Sequence, residues 1–533
     1  MTAAISVLGG GISGLSTAWY LSQRLPPNVK VQLIEGSSRL GGWVRSEVRQ
    51  TGGGASFLAE KGPRTLRAGD SREALAVLEL VDELDLRSQV VTASRMSAAA
   101  RNRYIYYKGE LNCMPSGLAS LLTGLPPAVR CLPRGIWHDL TTPKDATLAD
   151  SADESIHSFI SRRFGEAVDD NLASAVMHGI YAADTKELSA RALLYPFWLA
   201  DNTGTTGVLR GLRRVARLSR AYNARFSARD NKERLDNANR RAQNPEFWES
   251  IDEASMYSFR NGMQTLIESL ASKLRALPNV EVIVGQPVSK IQLGADGMVE
   301  TVLADGQTHS ANHVVNTLPL HCLRDIFGER CTSSLVEKTP YADVAVVNVA
   351  YPAKKIEPVD GFGYLVPRAS ANDSKALGVV FDSCALPAQD GDNGRADISR
   401  LTVMLGGSRF SSLFGNPDSV SNSALEDAAL ETIRTQLGIK MAPADVDATL
   451  GRRCIPSYTV GYVDRLKNMH EWVKGQLNGR MSVAGAAYGG PAVPQCILHA
   501  RDLVNHHLNL DALDAPQNIT GLEEIIEGFD YNK

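Results

Sequence analysis

The chain has 533 residues, 44% of them hydrophobic and 22% charged, a balance that excludes a mainly disordered protein. The 56 Lys and Arg against 59 Asp and Glu leave a net charge of −3, so a broadly basic nucleic-acid-binding surface is not expected. Seven scattered cysteines, odd in number and without a CxxC pair, argue against a disulfide framework or a structural zinc site, and for a reducing or neutral compartment.

At about 150 residues per domain, the length predicts three to four units. No run of 18 apolar residues occurs, so a transmembrane helix is not expected, while attachment to a membrane surface stays open. An apolar strand pattern, Ala4 to Leu8, begins almost at once, so a cleavable presequence is not expected if that strand is structural, and import into an organelle would then need an internal signal.

Gly9-Gly10-Gly11-Ile12-Ser13-Gly14 follows that strand directly. A helical pattern (Leu15, Ala18, Trp19, Leu21, Leu25) then runs to Pro26-Pro27, and a second strand, Val29 to Ile34, ends at Glu35. Strand, G-x-G-x-x-G, helix, strand and acid in this order predict a bound dinucleotide. Gly9 permits the tight turn, Gly11 the close approach of a pyrophosphate, and Gly14 the packing of helix on strand. The helix N-terminus at Ile12 and Ser13 offers partial positive charge to the phosphates. Glu35 accepts from the adenosine ribose and disfavours a 2′-phosphate. A second glycine turn, Arg39 to Trp43 with Gly41 and Gly42, approaches the pyrophosphate from the other side. No second G-x-G-x-x-G follows a strand, which favours a tightly held flavin over a shuttling nicotinamide.

Further along, 71–91 reads as a helix. Residues 111–137 contain no acid and read either as a membrane-surface patch or as a buried helical lobe. Arg210, Arg213, Arg214, Arg217 and Arg220 fall at helical spacing, which suits an anionic lipid surface or a solvated helix face. The charge-dense stretch 225–255 reads as a mobile insertion. Strands at 280–284, 288–293, 299–303 and 313–315 are expected to complete the nucleotide-domain sheet. Four more, at 342–351, 362–366, 377–382 and 401–405, are expected to form an antiparallel or mixed sheet with one face toward a cavity. A helix over 423–437, a strand at 480–484, a helix over 495–508 and a peripheral acidic tail from 511 close the chain. The expected fold is α/β, an interrupted Rossmann-like FAD-binding domain (1–90, 256–320 and 451–515). An α+β substrate domain (321–450) and a helical, membrane-associating lobe (91–255, with the polar insertion 220–255) are inserted in it.

These blocks, with Glu60-Lys61-Gly62-Pro63-Arg64, resemble the flavin amine oxidase/protoporphyrinogen oxidase superfamily. Further blocks resemble the protoporphyrinogen oxidase family in particular: 178–184 with Glu187-Leu188-Ser189, 361–367, Phe381-Asp382-Ser383, 403–407, 454–461 and 483–488. The match runs in order from residue 5 to about 508. Two departures stand out: Pro494-Gln495 precedes Cys496 where the family commonly has Asn-Asp, and Val463 stands where an aromatic is common.

The resemblance implies noncovalent FAD and oxidation of protoporphyrinogen IX to protoporphyrin IX with O2, the penultimate step of haem synthesis. Hydride goes to flavin N5, and no protein residue is assigned as a catalytic base. It also implies a peripheral place on the mitochondrial inner membrane, a possible homodimer and contact with ferrochelatase, with no metal and no nucleic acid. For substrate it implies Arg64 as the propionate anchor, Phe362, Leu365 and Met404 as walls, and Gly179 as room for the macrocycle. For FAD it implies Gly9, Gly11, Ile12, Ser13, Gly14, Glu35, Arg39, Gly42, Trp43, Lys61, Gly62, Pro63, Arg64, Val288, Gly485, Pro491, Ala492 and Val493. His178 is read as structural. The competing readings are a flavin amine oxidase, a carotenoid-type desaturase, and a non-catalytic module of the GDP-dissociation-inhibitor type. Against the first, Tyr488 stands alone in its turn; against the last, the full glycine set with Glu35 is intact.

Overall fold

The computed structural model describes residues 3–115, 124–143, 153–203, 207–223, 227–390 and 397–529, except the side chains of 203, 219–223, 227–228, 230 and 371–373. Part of the acid-free stretch (116–123) and the side chain of Arg220 therefore lie outside the described residues.

The first strand, β1 (Ala4–Leu8), is buried throughout. It lies between β2 (Lys30–Glu35) and the strand His313–Asn316, with Val280–Val284 and Met481–Val483 outermost, all parallel. Helix α1 (Ile12–Arg24) crosses over the sheet and packs on the helices Gln264–Ala276 and Val493–Asp502. Leu15, Leu21, Leu33, Leu266, Leu270 and Ile497 meet in that core, each contributing about 1.5–3 kcal/mol by leaving water. The strands of this sheet thus come from three distant parts of the chain.

Only part of the β-rich stretch closes this sheet. Val288–Leu293, Val299–Leu303 and Thr308–Ala311 form a separate antiparallel sheet. The reason is the connection length: tight turns at Gly297 and Gly306, both at positive φ, join hairpins, whereas parallel neighbours need a long crossover.

The second large sheet has seven strands in the order Asp445–Pro456, Tyr341–Tyr351, Ser399–Gly407, Ala376–Phe381, Gly363–Leu365, Tyr104–Tyr107, Glu110–Cys113. All four expected strands are in it, and its boundaries widen in two places. The hairpin 104–113, expected in the helical lobe, supplies two strands at one side of the sheet, the outer of them Glu110–Cys113, and the strand at the other edge runs past 450 to Pro456. Alternation sorts its faces. Ala345, Val347, Leu401, Val403, Leu405, Tyr364 and Phe381 pack under the helix Asn422–Leu437. Val344, Val346, Leu377 and Met404 cluster apart from them.

The helical lobe has its own core, with Ile156, Phe159, Leu188, Trp198, Leu199, Val208 and Val215. The insertion is ordered into helices Ser227–Gln243 and Pro245–Glu253. Trp248 and Ile251 enter the nucleotide-domain core, and ion pairs Arg229–Glu524, Arg240–Glu83 and Arg501–Glu233 fasten the first helix. These pairs and the buried Trp248 and Ile251 dock the insertion, so the expected mobility is corrected. The acidic tail is also docked: Val483 N–H donates to Thr520 O at 2.8 Å, and Leu522 is fully buried. Residues 71–91 divide into a helix, Arg72–Glu83, capped by Ser71, and a strand beginning at Val90. Among the described residues no helix is long and apolar enough to cross a membrane.

Candidate functional site

The glycine turn has the geometry its sequence demands. Gly9 sits at φ +98°, a region L side chains avoid. A Cβ on Gly14 would lie 1.8 Å from Gly9 O, so helix and turn touch only because no side chain intervenes. The second turn zips onto the first: Gly41 N–H donates to Gly10 O at 2.7 Å, and Gly11 bridges Gly41. A Cβ on Gly42 would be 3.2 Å from Gly11 Cα. The two turns therefore approach backbone to backbone, a slot suited to a pyrophosphate.

Residues at the rim follow. Glu35 Oε2 accepts Gly10 N–H at 2.6 Å and its Oε1 accepts Ser37 N–H at 2.7 Å. A carboxylate has about four acceptor positions, so lone pairs remain for ribose hydroxyls. Val288 follows a segment tied to the end of β2, where Gln286 N–H donates to Glu35 O at 3.1 Å. Arg39 spends its guanidinium on carbonyls of its own loop, Leu40, Gly42 and Val44; burial lowers its pKa. It shapes the second turn. Trp43 is half-exposed, and Gly62 passes under its carbonyl, 2.2 Å from where a Cβ would stand.

The chain also brings Gly485 to this place. A Cβ there would be 3.5 Å from Ser13 Oγ, so the turn 485–490 closes over the start of α1. Pro491, Ala492 and Val493 lead into the helix Val493–Asp502. The Tyr488 ring points into the core, fully buried with an unpartnered hydroxyl, and so forms no wall of an amine-binding cage. Val463 is likewise buried in the core.

Arg64 is not a rim group. It is 6% exposed, and its Nη1 donates to Asp382 Oδ1 at 2.9 Å. Asp382 Oδ2 accepts Thr402 Oγ1 at 2.7 Å. Pro63 lies just before this buried pair. Lys61 is similarly consumed, its ammonium facing Asp447 and Glu47. The charges of segment 60–64 thus bolt the nucleotide domain to the second sheet, and Asn348 Nδ2 adds a bond to Glu60 O at 3.0 Å. Burial pushes the Glu60 carboxyl up to about 7, against the pull of bonds from Ser46 and Met263.

Gly179 does leave room, and Leu365 uses it: a Cβ would meet Leu365 Cδ2 at 2.7 Å. Leu365, Phe362 and Met404 are each partly buried in separate apolar clusters. Arg103, which sequence reasoning passed over, lies with its Cζ 5.4 Å from the Phe362 ring centroid. Among the described residues no carboxylate pairs with it, and burial and the Arg67 charge lower its pKa. No local signal distinguishes it from any surface arginine. His178 Nδ1 meets Val366 O at 2.9 Å, and burial lowers its pKa; the ring is a structural strut. Glu233, Asp502 and His506 come near enough to hold a metal, but Arg501 Nη2 already bonds both carboxylates, so that place has its cation.

Orphaned donors test the cofactor. The N-cap Gly11 offers no side-chain bond to the first turn of α1, and no acid lies in that turn. Arg64 Nη2 is buried without a partner. An anionic dinucleotide with hydroxyls and carbonyls supplies the missing acceptors, so the residues fit FAD.

A family model described as flavin containing amine oxidoreductase matches residues 12–504. Protoporphyrinogen oxidase of Bos taurus is 35% identical over 506 residues, 94% of this chain and 97% of that one. The protein of the same name from Schizosaccharomyces pombe is 34% identical, over 93% and 96%. The crystal structure of a putative protoporphyrinogen oxidase from Exiguobacterium shares the fold at TM-score 0.71 and 20% identity, over 95% of this chain and 98% of that one. Glycine slot, orphaned donors and sequence agree: the chain belongs to the flavin-containing amine oxidoreductases, among the protoporphyrinogen oxidases, and its cofactor is FAD.

Proposed function

We propose that the protein oxidises protoporphyrinogen IX to protoporphyrin IX, with O2 as the final acceptor. Three rounds remove six electrons and consume three O2 to give three H2O2. Bound FAD supplies the two-electron chemistry, accepting a hydride and returning electrons to O2. The observation that carries the reading is the combination of apolar side chains with a guanidinium that no carboxylate pairs among the described residues. Leu365 and Met404 lie on the second sheet, Phe362 just before it, and Arg103 over the Phe362 ring. In this proposal Arg103, with Arg67 adding charge beside it, takes the propionate role expected of Arg64. The buried Arg64 is held by Asp382 instead, and its Nη2 is left without a partner.

The proposal extends to a peripheral site on the mitochondrial inner membrane. Trp137 is 70% exposed, and Ile136, Val176, Ile180 and Phe197 are also exposed on the helical lobe. Arg210, Arg213, Arg214 and Arg217 are exposed on the same lobe. Apolar groups with adjacent positive charge suit an anionic lipid surface.

Anaerobic mixing with protoporphyrinogen IX tests the activity. The flavin band near ~450 nm is expected to bleach, and porphyrin fluorescence to appear with one porphyrin per three O2 once air enters. Bleaching by benzylamine or spermine but not by the porphyrinogen would overturn the reading in favour of an amine oxidase, and a colourless protein that takes up no FAD would leave only a binding module.

A further inference from the structure

Two stacked tyrosines underlie the turn that closes over α1. The Tyr458 and Tyr462 rings lie 4.2 Å apart with planes 16° from parallel, both buried. Tyr458 Oη donates to Ala486 O. Tyr462 Oη lies 2.8 Å from Ala487 O and 2.9 Å from Tyr488 O, so its single proton is shared between two carbonyls. Three consecutive carbonyls are thereby drawn to one side of the turn.

In a trans peptide the N–H points opposite to the C=O. The N–H groups of Ala487, Tyr488 and Gly489 are therefore turned away from the tyrosines. Tyr488 N–H is used within the turn, donating to Gly485 O at 3.1 Å. Ala487 N–H, on a buried residue, has no acceptor among the described residues. Buried backbone donors are nearly always paired, and a missing acceptor points to a ligand. Gly485, which opens the turn, faces Ser13 at the start of α1, on the cofactor side.

We propose that Tyr458 and Tyr462 are positioning residues: by holding the carbonyls of Ala486 to Tyr488, they aim the Ala487 N–H at the bound flavin, where it favours the negative charge that reduction adds. The inference rests on the FAD reading above. Backbone dipoles fixed in advance stabilise developing charge without reorganisation; the tyrosines supply that fixity, because each phenol is locked by ring stacking on the other.

The test is Tyr462→Phe in the holoenzyme, with FAD affinity, two-electron reduction potential and thermal midpoint read together. The expected result is a several-fold weaker FAD Kd and a tenfold loss of preference for the reduced over the oxidised cofactor, a fall of about 30 mV. KM for the porphyrinogen stays unchanged while the rate of anaerobic flavin reduction drops. A lowered thermal midpoint with an unchanged potential assigns the pair a merely structural role and overturns the inference. Incorporation of 3-fluorotyrosine at 462, isosteric and a stronger donor, keeps the test decisive if the Phe variant misfolds: the potential is expected to rise, and no rise refutes the proposal. Wild-type protein that takes up no FAD would fail the cofactor reading itself, a separate outcome.

Discussion

Arg64→Ala is expected to cost stability before it costs substrate affinity. The guanidinium and the Asp382 carboxylate are 7% and 12% exposed and 2.9 Å apart. Removing the cation leaves Asp382 with the Thr402 hydroxyl as its remaining bond. Stranding one partner of a buried pair costs about 3–5 kcal/mol. The surviving hydrogen bond and the residual exposure of Asp382 place this case at the lower end, about 3 kcal/mol. Urea unfolding of the FAD-free protein, followed by far-UV circular dichroism, measures it. Adding Asp382→Asn removes the stranded charge, so the double variant should regain part of the loss. Arg103→Ala gives the opposite profile. It loses a cation–π contact worth about 0.5–1 kcal/mol, leaves the unfolding midpoint nearly in place, and raises KM for the porphyrinogen several-fold. An Arg64→Ala protein with a wild-type midpoint and a raised KM would refute the buried-pair argument and return Arg64 to the substrate.

Two further outcomes follow from the same geometry. Gly14→Ala forces the Gly9 carbonyl away from a Cβ that would otherwise sit 1.8 Å from it; purification should yield colourless protein, with FAD affinity at least roughly 100-fold weaker by fluorescence titration (about 2.7 kcal/mol), and a yellow protein with unaltered affinity would show that the turn does not hold the cofactor. Glu60 is raised by burial to about 7, above an unfolded value near 4.3. The folded state binds the extra proton between those values, so the contribution is fully present below pH ~4.3 and is lost as pH rises through about 7. Glu60→Gln should therefore leave stability near pH 4 unchanged and raise it at pH 8 by up to about 3 kcal/mol; calorimetric midpoints that shift equally at both pH values would contradict the assignment.

Much of the cofactor end was legible in the sequence. Gly9, Gly11, Gly14 and Glu35 lie within one strand–helix–strand unit, where each residue's task is set by neighbours a few positions away. The same holds for the four strands of the second sheet expected at 342–351, 362–366, 377–382 and 401–405, all of which the fold places in one sheet. What the chain order could not convey is which charges meet. Arg64 reads as an available cation until the fold sets Asp382, 318 residues away, against it. Lys61 loses its availability to Asp447 in the same manner, and the insertion 225–255 gains order from acids on helices elsewhere in the chain. Arg103 carries no mark in its own segment; its place over Phe362 arises because two distant parts of the chain come together beside the second sheet. Tyr458 sits in a block whose residues were recognisable but whose task was not, and Tyr462 lies just past its end; the carbonyls they hold lie 25 to 28 positions further on. Backbone conformation and strand periodicity are local and so can be read from the sequence. Desolvation and charge compensation depend on everything within a few ångströms, and for these residues only the tertiary fold determines what that is.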